Sequence, residues 1–162
     1  MANIDNCREF FLKGVTDIYV HSLDASVIPQ PFSVPGIRIL SGCEFGEPLL
    51  HVSICEDSEI VGEKLSAKAS MAKGNLGWVY SFAISAEIML DYEILADVLS
   101  SLNKKACLVL LKVTDGSVFL CYAVPDTFKC VVTSSMSMTS FKHSLQIDCQ
   151  SLSSFILLAM SE

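Results

Sequence analysis

Residues 106–113 read ACLVLLKV, and after Asp115-Gly116 the chain resumes as SVFLCYAV over 117–124. A short, nearly continuous apolar run is the mark of a strand covered on both faces. Asp-Gly between two such runs is a hairpin signal, because its glycine takes positive φ without steric cost. The second run returns antiparallel to the first, so the architecture has to be built around a buried hairpin.

The other segments carry the same period. Over 63–71, Leu65, Ala67, Ala69 and Met71 alternate with Lys64, Ser66, Lys68 and Ser70, which gives a half-buried strand with one wet face. Lys73-Gly74-Asn75 turns the chain, and 78–84 answers it to complete a second hairpin. Further strands are expected over 18–23, 36–40, 49–55, 128–133, 142–149 and 154–160, with Gly42 to Pro48 and Pro125-Asp126 as turns. Residues 3–14 stay open between a short helix ended by Gly14 and an edge strand. The one helix signal lies at about 91–104: Asp91 is placed to cap it, and Ile94, Leu95, Val98, Leu99 and Leu102 recur at helical spacing. Eight or nine short strands, one helix and no alternating βαβ rhythm imply a mainly β fold. The expected form is an antiparallel β-sandwich or open barrel with one flanking α-helix.

A chain of 162 residues fits a single β-rich domain, 1–162, able to bury its own core. Pro29, Pro31 and Pro35, followed by Gly36, mark a proline-rich extended arm or loop at about 28–36, placed to touch a neighbour. Hydrophobic residues make up 51% and charged ones 18%, so some apolar surface is expected to meet other subunits. The formal charge is −7, the only arginines are Arg8 and Arg38, and Lys104-Lys105 is the only adjacent basic pair. That composition argues against phosphate-led or sequence-specific nucleic-acid binding. The seven cysteines include no CxxC and read as reduced core or near-core residues. The start lacks the charged-then-apolar order of a secretory signal, so folding in a cytoplasm is expected. The apolar stretches, 155–160 among them, fall far short of the ~20 residues a membrane span needs.

Three histidines, His21, His51 and His143, sit on expected strands far apart in sequence, where a structural role is the plainer reading. No GxSxG elbow or local Cys/His signature supports nucleophilic catalysis. Residues 56–59, EDSE, lack the ligand spacing of a calcium loop and read as a solvated turn. Glu87, Asp91, Glu93 and Asp97 gather near the helix start, where they suit capping and the dipole better than paired acid/base work. Gly74 and Gly77 lead into a strand, so they form no phosphate cradle. Trp78, Tyr80 and Phe82 share a face, as a core ladder or as a stacking platform. No catalytic, cofactor-binding or metal residue is assigned, and no enzyme activity is expected.

The segments WVYSFAISAEI, DYEILADVLSSL, LVLLKVTDGSVFLCYA, FKCVVTSS and SLQIDCQS, spanning Trp78 to Leu158, follow one another in a layout that resembles the tail-tube and related virion ring proteins of tailed bacteriophages. The resemblance covers about half of the chain, by order of elements alone. It implies a structural subunit of the virion (tail tube, ring or connector) that self-associates or joins other virion proteins after folding in the host cytoplasm. It also implies that an acidic lining would repel DNA and let it slide through a conduit, and that the arm would reach a neighbouring subunit. The competing expectation is a cytosolic β-sandwich binding module that holds a peptide or small molecule on the Trp78 face or on residues 134–140, SSMSMTS.

Overall fold

A computed structural model of the chain describes residues 7–22, 39–40, 43–55, 58, 60–74, 77–89, 97, 102, 107–121, 129–134, 142–151 and 155–158. The fold is mainly β. Eleven strands run in chain order: β1 (Cys7–Leu12), β2 (Val15–Ser22), β3 (Ile39–Leu40), β4 (Leu50–Ser53), β5 (Ile60–Gly74), β6 (Gly77–Met89), β7 (Cys107–Val113), β8 (Val118–Cys121), β9 (Lys129–Ser134), β10 (Lys142–Ser151) and β11 (Ile156–Leu158). They join in one sheet ordered β3-β11-β8-β7-β2-β4-β5-β6-β10-β9, with β1 on β5. The pairings are antiparallel except for the short β3–β11 and β4–β5 contacts.

Both expected hairpins form. β7 pairs with β8 around Asp115-Gly116, where Gly116 has φ +91°, the Gly116 amide bonds the Val113 carbonyl, and Asp115 Oδ1 accepts from the Ser117 amide at 2.8 Å. β5 and β6 pair from Val61↔Met89 to Gly74↔Gly77, running further than the expected strand over 78–84. Residues 7–12, left open by the sequence, form a strand on β5, and Gly14 at φ +72° turns it into β2. Of the expected helix at 91–104 only Asp97 and Leu102 are described; both are helical, and Leu102 is fully buried in the core. The arm at 28–36 and residues 135–140 lie outside the described residues.

Two β-bulges set which side chains point inward. On β5 the register slips between Glu63 and Ser66, with Lys64 at φ +53°. Ile60 and Gly62 are buried before the slip and Ala67 and Ala69 after it, so the inward set switches from even to odd positions. On β2 the register slips between Val15 and Asp17, and the inward set switches from Val15 to Ile18 and Val20.

The principal core takes one face of nearly every strand: Ile18 and Val20 of β2, Val52 of β4, Phe82, Ile84 and Ile88 of β6, Val109 and Leu111 of β7, and Leu145 and Ile147 of β10. Small residues face large ones across the β5–β6 ladder, Ala67 opposite Ile84 and Ala69 opposite Phe82. A second cluster, Leu108, Leu110, Leu120 and Ile156, occupies the reverse face of β7, β8 and β11. β7 is therefore covered on both sides, as its unbroken apolar run requires.

The sheet curls over its principal core. Phe155, next to β11, packs its ring 5.0 Å from that of Phe82 on β6. β11 and β6 stand six steps apart in the strand order, which on a flat sheet would be about 29 Å. Burial raises the thiol pKa of Cys121 on β8 and of Cys130 on β9, with smaller contributions from Cys149 and Cys107 respectively.

Candidate functional site

The described histidines lie on strands, as the sequence suggests, and the β2–β4 pairing brings two of them together. β2 and β4 align Asp17↔Ser53, Tyr19↔His51 and Val20↔Leu50. With Ile18 and Val20 turned into the core, alternation puts Asp17, Tyr19 and His21 on the reverse face. There the Tyr19 ring stacks on His51 at 4.2 Å and 9°, reaches His21 at 6.2 Å, and His21 in turn meets Phe45 at 5.3 Å. The result is a ladder of four rings that continues the second apolar cluster toward the polar end of β2.

That polar end is an Asp–His pair. His51 Nε2 donates to Asp17 Oδ1 at 2.9 Å, and Thr16 Oγ1 donates to Asp17 Oδ2 at 2.7 Å. The bulge at Thr16 lets its hydroxyl and the Asp17 carboxylate sit side by side; the hydroxyl also reaches the Lys112 carbonyl at 3.3 Å. Burial alone would raise the Asp17 pKa, but hydrogen bonds from His51, Thr16 and Ser53 outweigh it and hold the carboxyl below its ordinary value. Burial, with the Asp17 charge nearby, raises the Tyr19 phenol. Burial also lowers His21, partly offset by a bond to the Gly46 backbone; its Nδ1 finds no hydrogen-bond partner among the described residues. His143, buried on β10, likewise leaves Nδ1 without one and does not join the cluster.

Because the carboxylate can only accept, His51 donates from Nε2. No hydroxyl or thiol nucleophile is bonded to His51 among the described residues, and no group of three His, Cys, Asp or Glu there is arranged to hold a metal ion. The arrangement is that of a packed, proton-sensitive ladder. Sequence reading missed it because 34 positions separate Asp17 from His51. The available signal was the outward alternation Asp17-Tyr19-His21, flanked by apolar Ile18 and Val20.

The remaining candidates separate. Phe82 is buried and Tyr80 packs against the core, the ladder alternative; the side chain of Trp78 is outside the described residues. Glu87 belongs to β6, 3.6 Å from Lys64 Nζ, and Asp97 is exposed; Asp91 and Glu93 are outside the described residues. Of residues 56–59 only Ser58 is described, and its hydroxyl donates to the Cys55 carbonyl at 2.7 Å, as in a turn. Gly74 and Gly77 face each other at the end of the β5–β6 ladder. A groove of about 330 Å³ opens on the outer face of β5, β6 and β10, floored by Ser66, Ala83, Ser85 and Gln146 and walled by Phe11. The two floor serines bond to each other at 2.7 Å.

Among the described residues no helix is long and apolar enough to cross a membrane. Comparison with protein-family models, with curated proteins and with solved structures finds no match for this chain.

Proposed function

We propose that the chain is a non-enzymatic structural subunit that acts by self-association, of the kind found in the tail tubes, rings or connectors of bacteriophage virions. The observation that carries the reading is the combination of unpaired strand edges with protruding apolar side chains. β9 and β3 each pair on one side only among the described residues, and β1 pairs only with β5. Such edges are templates for another chain unless something covers them. Beside one of them stands Phe11, 67% exposed, and Ile54 is 51% exposed at the end of β4. A net charge of −7 suits a surface that repels DNA without binding it. On the resemblance in layout, such a surface would line a virion conduit assembled from subunits folded in the host cytoplasm, and the arm at 28–36 would reach a neighbour.

The finer form we propose is a curled, barrel-like closure flanked by the helix at 91–104. The ring contact between Phe155, next to β11, and Phe82 of β6 spans six steps of the strand order, as a curled sheet allows. The binding-module alternative has the Phe11 groove in its favour.

Size-exclusion chromatography with light scattering on the full chain, followed by electron microscopy, tests the assembly reading. The expected result is concentration-dependent multimers that image as rings or tubes, and Phe11→Lys should shift them toward monomer while leaving the far-UV circular dichroism unchanged. A wild-type chain that stays monomeric at high concentration overturns the reading.

A further inference from the structure

One face of the sheet carries opposite charges in a symmetric arrangement that the chain does not use for itself. On the outer face of β5, β6 and β10, Lys68, Ala83 and Asp148 stand directly abreast, one per strand, and Phe11 of β1 is next in line beyond Lys68. Lys68 and Asp148 are exposed, whereas Ala67, Ala69, Ile147 and Cys149 beside them are buried, so both charges belong to the wet face. Two strand spacings separate them, about 10 Å, too far for an ion pair within one chain. Lys68 makes no ion pair among the described residues. Asp148 accepts from Gln146 Nε2 at 2.9 Å on Oδ1, and its Oδ2 stays open among the described residues.

The strand between the two charges is low. β6 turns Ser81, Ala83 and Ser85 outward, and the groove of about 330 Å³ lies over the last two, with Phe11 as its wall. A two-fold axis laid along β6, in the plane of this face, exchanges the two flanks. It sets β5 of one copy over β10 of the other and brings the short side chains of the two β6 strands together, so the sheets can approach closely. Each Lys68 then meets the second copy's Asp148, and the contact occurs twice because the operation is its own inverse. Phe11, one strand further out than Lys68, screens each pair from water at the rim. Glu87, farther along β6, approaches its own copy, but Lys64 Nζ at 3.6 Å offsets its charge.

We infer that the outer face of β5, β6 and β10 is a contact by which two copies of this chain pair face to face, with Lys68 and Asp148 as the reciprocal charges. The inference rests on the assembly reading and names one of its surfaces. With a net charge of −7 the copies repel one another at long range, so a contact between them has to supply its own opposite charges. The ten residues of β10 set the length of the face and the four strands from β1 to β10 its width. At ~3.3 Å per residue and ~4.8 Å per strand it covers roughly 600 Å² per copy. Counted on both copies, that is the lower bound of a specific interface, so the pair is weak and depends on concentration.

The test reverses each charge separately and then mixes the products. Lys68→Glu opposes two carboxylates at each contact, and Asp148→Lys opposes two ammonium groups. Either variant alone should associate about tenfold more weakly than wild type, or worse. Both positions are exposed, so the far-UV circular dichroism should not change. In an equimolar mixture every contact again joins opposite charges, and mixed dimers should form at close to the wild-type affinity. Sedimentation equilibrium measures the affinities, and native mass spectrometry with one variant tagged counts mixed against like pairs. Ala83→Arg, which sets a bulky cation against its own copy on the axis, is a second block that removes neither charge and should weaken pairing as well. Association that survives both reversals and Ala83→Arg undiminished, or a mixture with no more mixed dimers than chance, would overturn this contact and leave the assembly reading standing. A wild-type chain that is monomeric at high concentration overturns both.

Discussion

β2 and β7 pack side chains on both of their faces, but the two faces are made of different material. Inward, Ile18, Val20, Cys107, Val109 and Leu111 meet other apolar side chains from the far half of the sheet. Outward, Leu108 and Leu110 begin an apolar patch that passes through Tyr19 and His21 into the Asp17–His51 pair. Stability on the inner face comes from excluded water and dense contact, neither of which depends on pH. On the outer face part of it depends on the protonation of His21 and of the Asp17 carboxylate. The inner face should therefore tolerate acid and resist truncation badly, while the outer face should do the reverse.

The sharpest contrast uses adjacent leucines on β7. Leu111 is fully buried in the principal core and Leu110 is 6% exposed in the smaller outer cluster. Leu111→Ala leaves a cavity ringed by strands from both halves and is expected to cost about 4 kcal/mol; Leu110→Ala, at a site with fewer neighbours and room to relax, about 2 kcal/mol. Urea unfolding of both variants checks this. Equal losses would mean that the outer cluster is as deep as the inner one, and the contrast would fail.

Acid probes the outer face through His21, with an effect smaller than either truncation. Its folded pKa lies below the ordinary 6.5, chiefly because burial disfavours the imidazolium. Above 6.5 both folded and unfolded chains hold the neutral ring and stability is full. As the pH falls through 6.5 the unfolded chain takes up a proton that the folded one refuses, so stability declines until the folded pKa is passed. His21→Phe, which keeps a ring between Tyr19 and Phe45, should flatten the fall in unfolding free energy between pH 7.5 and 5 relative to wild type. Parallel curves for the two proteins would remove His21 as the source. Asp17 acts in a lower window. Its folded pKa is depressed, so its contribution is present above the ordinary 3.8 and is lost as the pH drops through the folded value.

How far these faces could be read from the chain depended on whether the pattern was local. The 106–124 hairpin and the alternation of 63–71 were legible because each strand's period and turn lie within about twenty residues. The bulges were not, since Lys64 and Thr16 look like ordinary strand residues until the partner strand fixes the register. β1 was ambiguous for a related reason: Phe10, Phe11 and Leu12 run together without alternation, and only pairing with β5, some sixty positions away, makes them a strand. The meeting of Tyr19 with His51, like that of Phe82 with Phe155, is a product of sheet order, which leaves no trace in local period.

The smallest expected effect concerns the Asp17–His51 pair, and it decides whether that pair holds the outer face or merely decorates it. The His51 side chain is 35% exposed and that of Asp17 14%, so solvent screens much of their attraction. Yet Asp17 also accepts from Thr16 and Ser53, so removing its charge disturbs more than one bond. Asp17→Asn should therefore cost more than His51→Ala, and the double variant should show a coupling of only about 0.5 kcal/mol at pH 7. A double-mutant cycle from urea unfolding measures this directly. Coupling above about 2 kcal/mol would show a desolvated ion pair, and the outer face would then owe its stability to that pair more than to the ring ladder. Coupling near zero would leave the carboxylate's work to Thr16 and Ser53, with His51 held in place by its stack on Tyr19.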